Sequence, residues 1–151
     1  MVSGCYYLEK ITIPYTVNKI GKKAFFECLG LRNVTFERRQ IENLFIEDNC
    51  FEYCRELEKV TIPEKISLGK QVFASSSLKE IIIETDDESV GLNYERFGSY
   101  LKTYTDSNFD YLKGTLKIYV KNEAMKEKIK EEFKGQVKPE NIIVGLPNEN
   151  E

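Results

Sequence analysis

The sequence predicts an α/β repeat, a solenoid whose coils share one parallel β-sheet and whose C-terminal end is closed by a helix and a short strand. Three observations carry that prediction. A Leu-x-x-Ile-x-Ile framework returns at Leu8, Leu31, Leu57 and Leu78, spaced by 23, 26 and 21 residues. A second half-motif lies between the copies, where IGKKAF (Ile20 to Phe25) matches IEDNCF (Ile46 to Phe51) and LGKQVF (Leu68 to Phe73). After residue 114 the pattern changes to strand, amphipathic helix, strand. Internal repeats with a period in the twenties denote a solenoid, because one such unit cannot bury its apolar face without stacked neighbours.

Each element has a local reason. In the framework the last two apolar positions alternate with one outward residue, the mark of a strand with one buried face. This predicts strands at Glu9–Ile13, Arg32–Phe36, Glu58–Ile62, Glu80–Ile83 and Lys117–Val120, in one parallel sheet in sequence order. The Phe of each half-motif and the residue three before each leucine (Cys5, Cys28, Cys54 and then Ser75) are expected to fill the opposite wall, each above its copy in the next coil. A small, weakly polar thiol suits such a buried corner. From Thr85 the half-motif is not recognisable, and the aromatic-rich stretch that follows reads as a packed insertion with a short helix around Tyr94 to Thr103. Asn122 then offers an N-cap, Gly135 stands past a helix end, and Met125, Ile129 and Phe133 recur every four residues on one stripe. The resulting division is repeats over 1–84, irregular insertion over 85–114, last strand and cap over 115–146, and a tail over 147–151, all one structural domain.

Composition bounds the function. A chain of 151 residues is one domain by length. Its 22 basic and 25 acidic residues are interspersed and sum to −3, which is no footprint for DNA or RNA. No apolar run approaches the ~20 residues of a membrane span. The opening MVSGCYYLEK lacks the charged start and apolar centre of a signal peptide, so in an exported form the signal is expected to have been removed or to lie upstream.

The stretch LEKITIPYTVNKIGKKAFFEC resembles the BspA-type leucine-rich repeat, with its order of strand, Ile-Pro, Ile-Gly, Ala-Phe and Cys. The resemblance is close over Val2 to Glu84. It implies a leucine-rich-repeat solenoid with its parallel sheet on the concave face, no enzymatic activity, and an interaction or adhesive role on secreted or cell-surface proteins. Val2 stands where the Phe of a preceding unit would be, so the chain is expected to begin inside a repeat.

The chemistry available is narrow. There is no histidine, which removes Ser-His, Cys-His and histidine-metal arrangements within one chain. Cys50 and Cys54 form a Cys-x3-Cys pair, but Cys50 takes the Ala position of the half-motif and Cys54 the corner, and a zinc site wants two more ligands. Asp86 to Glu88 lacks the alternating ligand spacing of a calcium loop and reads as a solvated turn. No catalytic residue, metal or cofactor is therefore expected. What remains is surface: the outward strand residues Lys10, Thr12, Asn33, Thr35, Lys59, Thr61, Glu80, Ile82, Lys117 and Tyr119 would line the concave face. Tyr119 and Ile82 would be its apolar anchors. A stack of threonines is also what a sheet favours for its own sake. Two functions stay open, a protein-binding module that is itself monomeric, and a spacer solenoid that only positions other domains.

Overall fold

Where alternate residues are Ile, Val or Phe, the chain runs as β1 (Lys10–Ile13), β3 (Asn33–Phe36), β5 (Lys59–Ile62), β7 (Glu80–Ile83) and β8 (Lys117–Val120). A computed structural model describes residues 4–38, 43–92, 94–97 and 116–147. These strands and β9 (Ile142–Val144) form one six-stranded sheet, ordered as expected and parallel at every pairing. The inward column runs Ile11, Val34, Val60, Ile81, Ile118 and Ile142 from coil to coil. All but the first are buried. Most of the strands begin one residue later than expected, because the preceding residue serves as an acceptor. Glu9 O takes the amides of both Arg32 and Asn33 (2.8 and 3.3 Å), and Glu58 O takes those of Lys79 and Glu80 (2.8 and 3.1 Å).

The half-motifs build a second parallel sheet, which the sequence shows only as a wall. It joins β2 (Lys19–Ile20), β4 (Leu44–Ile46) and β6 (Ile66–Leu68), with Ile20, Ile46 and Leu68 facing inward. Beyond it each coil turns through two non-glycine residues in the left-handed region: Lys23 and Glu27, Asn49 and Tyr53, Gln71 and Ser75 (φ 55 to 61°). Each costs roughly 1–2 kcal/mol locally. The cost is offset by a ladder to the next coil. Lys23, Phe25 and Glu27 donate to the carbonyls of Asp48, Cys50 and Glu52, and Asn49, Phe51 and Tyr53 repeat the pattern on Lys70, Val72 and Ala74 (2.8–3.2 Å).

Inside this turn the phenylalanines stack. Ring centroids of Phe25 and Phe51 are 5.0 Å apart, Phe51 and Phe73 5.6 Å, Phe73 and Phe97 5.8 Å. Phe97 corrects the expectation for the segment after Thr85. Leu92 and Phe97, both fully buried, are the ends of a fourth half-motif, and its last turn is helix α1 (Tyr94–Phe97). Gln71, Val72 and Phe73 bond to Glu95, Arg96 and Phe97 across it. The rest of the helix expected to Thr103 lies outside the described residues, as does most of the expected insertion.

The corner column also needs one correction. The left-handed residues align Glu27, Tyr53 and Ser75, so the residue stacked after Cys28 and Cys54 is Ser76. It is fully buried, and its hydroxyl has no partner among the described residues. The coil is one residue shorter between corner and leucine here, and counting back from Leu78 lands on the wrong serine.

The C-terminal segment is the expected cap. Helix α2 (Glu123–Glu132) starts at Asn122, whose Oδ1 accepts the Met125 amide at 2.9 Å, and Gly135 takes φ 75° beyond its end. Met125, Ile129 and Phe133 are fully buried, and the Phe133 ring sits 5.6 Å from Phe97, ending the stack. Lys128 Nζ reaches over the last coil to the carbonyls of Glu88 and Val90. Burying three such side chains contributes about 1.5–3 kcal/mol each before ordering costs. Phe133→Ala should therefore lose on the order of 3–5 kcal/mol. At ~2–4 °C per kcal/mol for this size, the Tm should fall by roughly 10 °C in a calorimetric scan. Truncation after Lys121 should yield an aggregating or partly unfolded chain; a truncated monomer melting at the parental Tm would show that the helix is an appendage.

Candidate interaction face

The outward residues of the six-stranded sheet fall into two rows. The first runs Lys10, Asn33, Lys59, Glu80, Lys117. Its charges are partly spent on one another, with Lys59 Nζ 4.0 Å from Glu80 Oε2, while on the adjoining turn Lys79 Nζ lies 2.9 Å from Glu58 Oε1. Lys10 and Lys117, at opposite ends of the row, are exposed. Exposed pairs of this kind add little stability, so they leave the lysine at each end to set the local charge.

The second row grades from polar to apolar. Thr12 and Thr35 are exposed and share a hydrogen bond of 2.8 Å between hydroxyls. Thr61 and Tyr119 are half-buried, and between them Ile82 is only 7% exposed. The anchor expected at Ile82 thus lies between Thr61 and Tyr119 in register and presents little surface of its own. Ile143 pairs with Tyr119 and extends the row by one strand. Sequence reasoning placed the closing strand of the cap but missed that its middle residue joins this face. The signal was available in ENIIVG, since parallel pairing of Ile142 with Ile118 forces Ile143 beside Tyr119.

The residues weighed for chemistry are used in structure. Asp87 Oδ1 accepts both the amide and hydroxyl of Ser89 (2.9 and 2.6 Å), and the Asp87 amide donates to Thr85 Oγ1. Those bonds, the Ser89 hydroxyl first, hold the Asp87 carboxyl below the usual carboxylate range. All four cysteines are thiols outside any disulfide. Burial pushes Cys50 up to about 12 and Cys54 higher still, and Cys54 Sγ donates to Phe25 O at 3.2 Å. Such thiols are neutral wall residues. Among the described residues no group of three or more His, Cys, Asp or Glu could hold a metal ion, and no helix is long and apolar enough to cross a membrane.

On the second sheet the middle unit carries Glu47-Asp48 where its neighbours carry Gly21-Lys22 and Gly69-Lys70. Glu47 Oε2 accepts the Lys22 amide at 2.9 Å and its Oε1 meets Lys19 Nζ at 2.7 Å; Asp48 Oδ1 accepts the Lys70 amide at 2.8 Å. The acidic pair thus staples the coil before it and the coil after it. Gly69 makes room, since a Cβ there would stand 2.7 Å from the Asp48 amide nitrogen.

Stacked coils sharing a parallel sheet, closed by a helix and offering one continuous outward face, define a leucine-rich-repeat domain, a class that generally serves as an interaction-type module. A family model described as BspA type leucine rich repeat region matches residues 2–112 in six copies, and the chain belongs to that family. The match runs past Glu84 through the fourth coil, in keeping with Leu92 and Phe97. A search of the curated proteins returns no match.

Two measurements check these assignments. In native protein a thiol reagent should modify Cys5 quickly, and Cys28, Cys50 and Cys54 only after denaturation; fast native labelling of any of the three contradicts their burial. The Lys19 side chain, then the Lys22 amide, holds the Glu47 carboxyl below its ordinary value. Its stabilisation is therefore complete above the unfolded-chain pKa of ~4.3 and fades as pH falls through the folded value. The Tm gap between the parent and Glu47→Gln should accordingly narrow from about pH 7 to about pH 3, and a gap that stays constant contradicts the staple.

Proposed function

We propose that the chain is a non-enzymatic, protein-binding module whose ligand lies across the outward face of the six-stranded sheet, on a secreted or cell-surface protein. The observation that carries this reading is the gradient along the second row. Three threonines lead into Tyr119 and Ile143 over a buried Ile82, with Lys10 and Lys117 at opposite ends of the neighbouring row. An aromatic supported by packed neighbours is the kind of group that dominates protein interfaces, and a graded face fixes the orientation of a bound chain. Surface placement is supported by the habit of the family, as is the non-enzymatic reading. The module acts as a monomer.

A second reading, a spacer that only positions other domains, draws on the Thr12–Thr35 hydrogen bond, which satisfies two exposed hydroxyls within the protein. The two separate by experiment. The purified chain and its Tyr119→Ser and Ile143→Ser variants, matched in Tm, are probed against immobilised extracellular-matrix and cell-surface proteins. Binding at micromolar concentration that either variant weakens at least tenfold supports the module. Capture that both variants leave unchanged, or none at all, leaves the spacer.

A further inference from the structure

The corner thiols differ in one respect that neither packing nor the interaction face uses. Cys28 and Cys54 are fully buried, whereas Cys5, at the same corner of the first coil, is only partly buried. Cys5 follows Gly4 as Cys28 follows Glu27, and Gly4 and Glu27 make equivalent rungs of the coil-to-coil ladder, to Phe26 O and Glu52 O, so Cys5 stacks on Cys28 as Cys28 stacks on Cys54. The Gly4 amide donates to Phe26 O at 2.9 Å, which holds this segment against the second coil. Coils stacked through parallel pairing place equivalent residues ~4.8 Å apart. That falls within the ~4.4–6.8 Å between Cα atoms that a disulfide spans. Cys54 offers no competing route to Cys5, since it lies one coil further along the stack and its sulfur donates to Phe25 O.

We propose that Cys5 and Cys28 form a redox-closable site, which a small-molecule disulfide converts into an intramolecular clasp between the first two coils. The order of events follows from access. The Cys5 thiolate attacks one sulfur of the oxidant, forming a mixed disulfide and releasing one thiolate. The Cys28 sulfur then attacks Cys5 Sγ, a sulfur–sulfur bond forms between the cysteines, and the second oxidant half leaves as a thiolate that takes up the Cys28 proton. Two electrons pass from the cysteines to the oxidant, which ends as two thiols. Burial raises the Cys28 thiol, so resolution is the slower step. The closed loop contains β1 and β2, and with them Lys10 and Thr12 of the outward face.

The test uses the unaltered chain incubated with oxidised glutathione under native conditions, read by intact mass and peptide mapping. The expected product is a monomer lighter by two hydrogens, with the Cys5 and Cys28 peptides joined and dithiothreitol restoring both thiols. Amide exchange in β1 should be slower in the oxidised form. Cys5→Ser should stay fully reduced under the same treatment, which removes any need for a substitution inside the core. A lasting glutathione adduct on Cys5, a Cys5–Cys5 dimer, a bridge between other cysteines or an unreacted Cys5 would each overturn the site. Unchanged exchange in β1 would overturn the clasp.

Discussion

The column of stacked phenylalanines is the constraint on which the other parts converge. Four rings from successive coils stack with centroids 5.0–5.8 Å apart. Keeping them in line requires each coil to return to the same place regardless of its length. The coils do differ in length, and the difference is taken up away from the column: in the segment after Phe36, and in the single residue missing between Ser76 and Leu78. The left-handed residues on either side of Phe25, Phe51 and Phe73 belong to the same constraint. They aim the ring inward while the amides of Lys23, Glu27, Asn49, Tyr53 and Gln71 pair with the next coil, so strain and stacking are two sides of one arrangement.

That arrangement was legible wherever a residue type itself repeats. Leucine, isoleucine and phenylalanine recur with chemistry that only burial explains, and the sheet and cap follow from their spacing. Legibility failed where function in the fold passes to a different residue. Between Leu92 and Phe97 the sequence NYER shares nothing with GKKA, so the fourth half-motif is invisible unless the phenylalanine is placed first. Ser76 was misplaced by counting from leucine, although the structure keeps its register from phenylalanine. The second sheet uses two- and three-residue strands, too short for alternation to show.

The outward face was readable in direction but not in exposure. Alternation says which way Ile82 points; it cannot say that Ile82, flanked in register by Thr61 and Tyr119, is buried. Exposure in a solenoid is set by neighbours a whole coil away, so a list of outward residues overstates the surface of those between large side chains. The same geometry explains how Glu47 and Asp48 could each serve a different coil, a role that no local pattern announces.

A stack closed by an element made after its coils has an order in time. The ring that covers Phe97 belongs to Phe133, beyond the final strand of the repeats, so every coil leaves the ribosome before the residue that shields the column exists. Stability in such a chain is a sum of neighbouring contacts. Growth from the N-terminus therefore leaves an apolar end that moves forward coil by coil, sheltered only by the chain still to come. That apolar end stays open until Phe133 has been made. Helix α2, short and capped by its own asparagine, is the piece that ends that exposure.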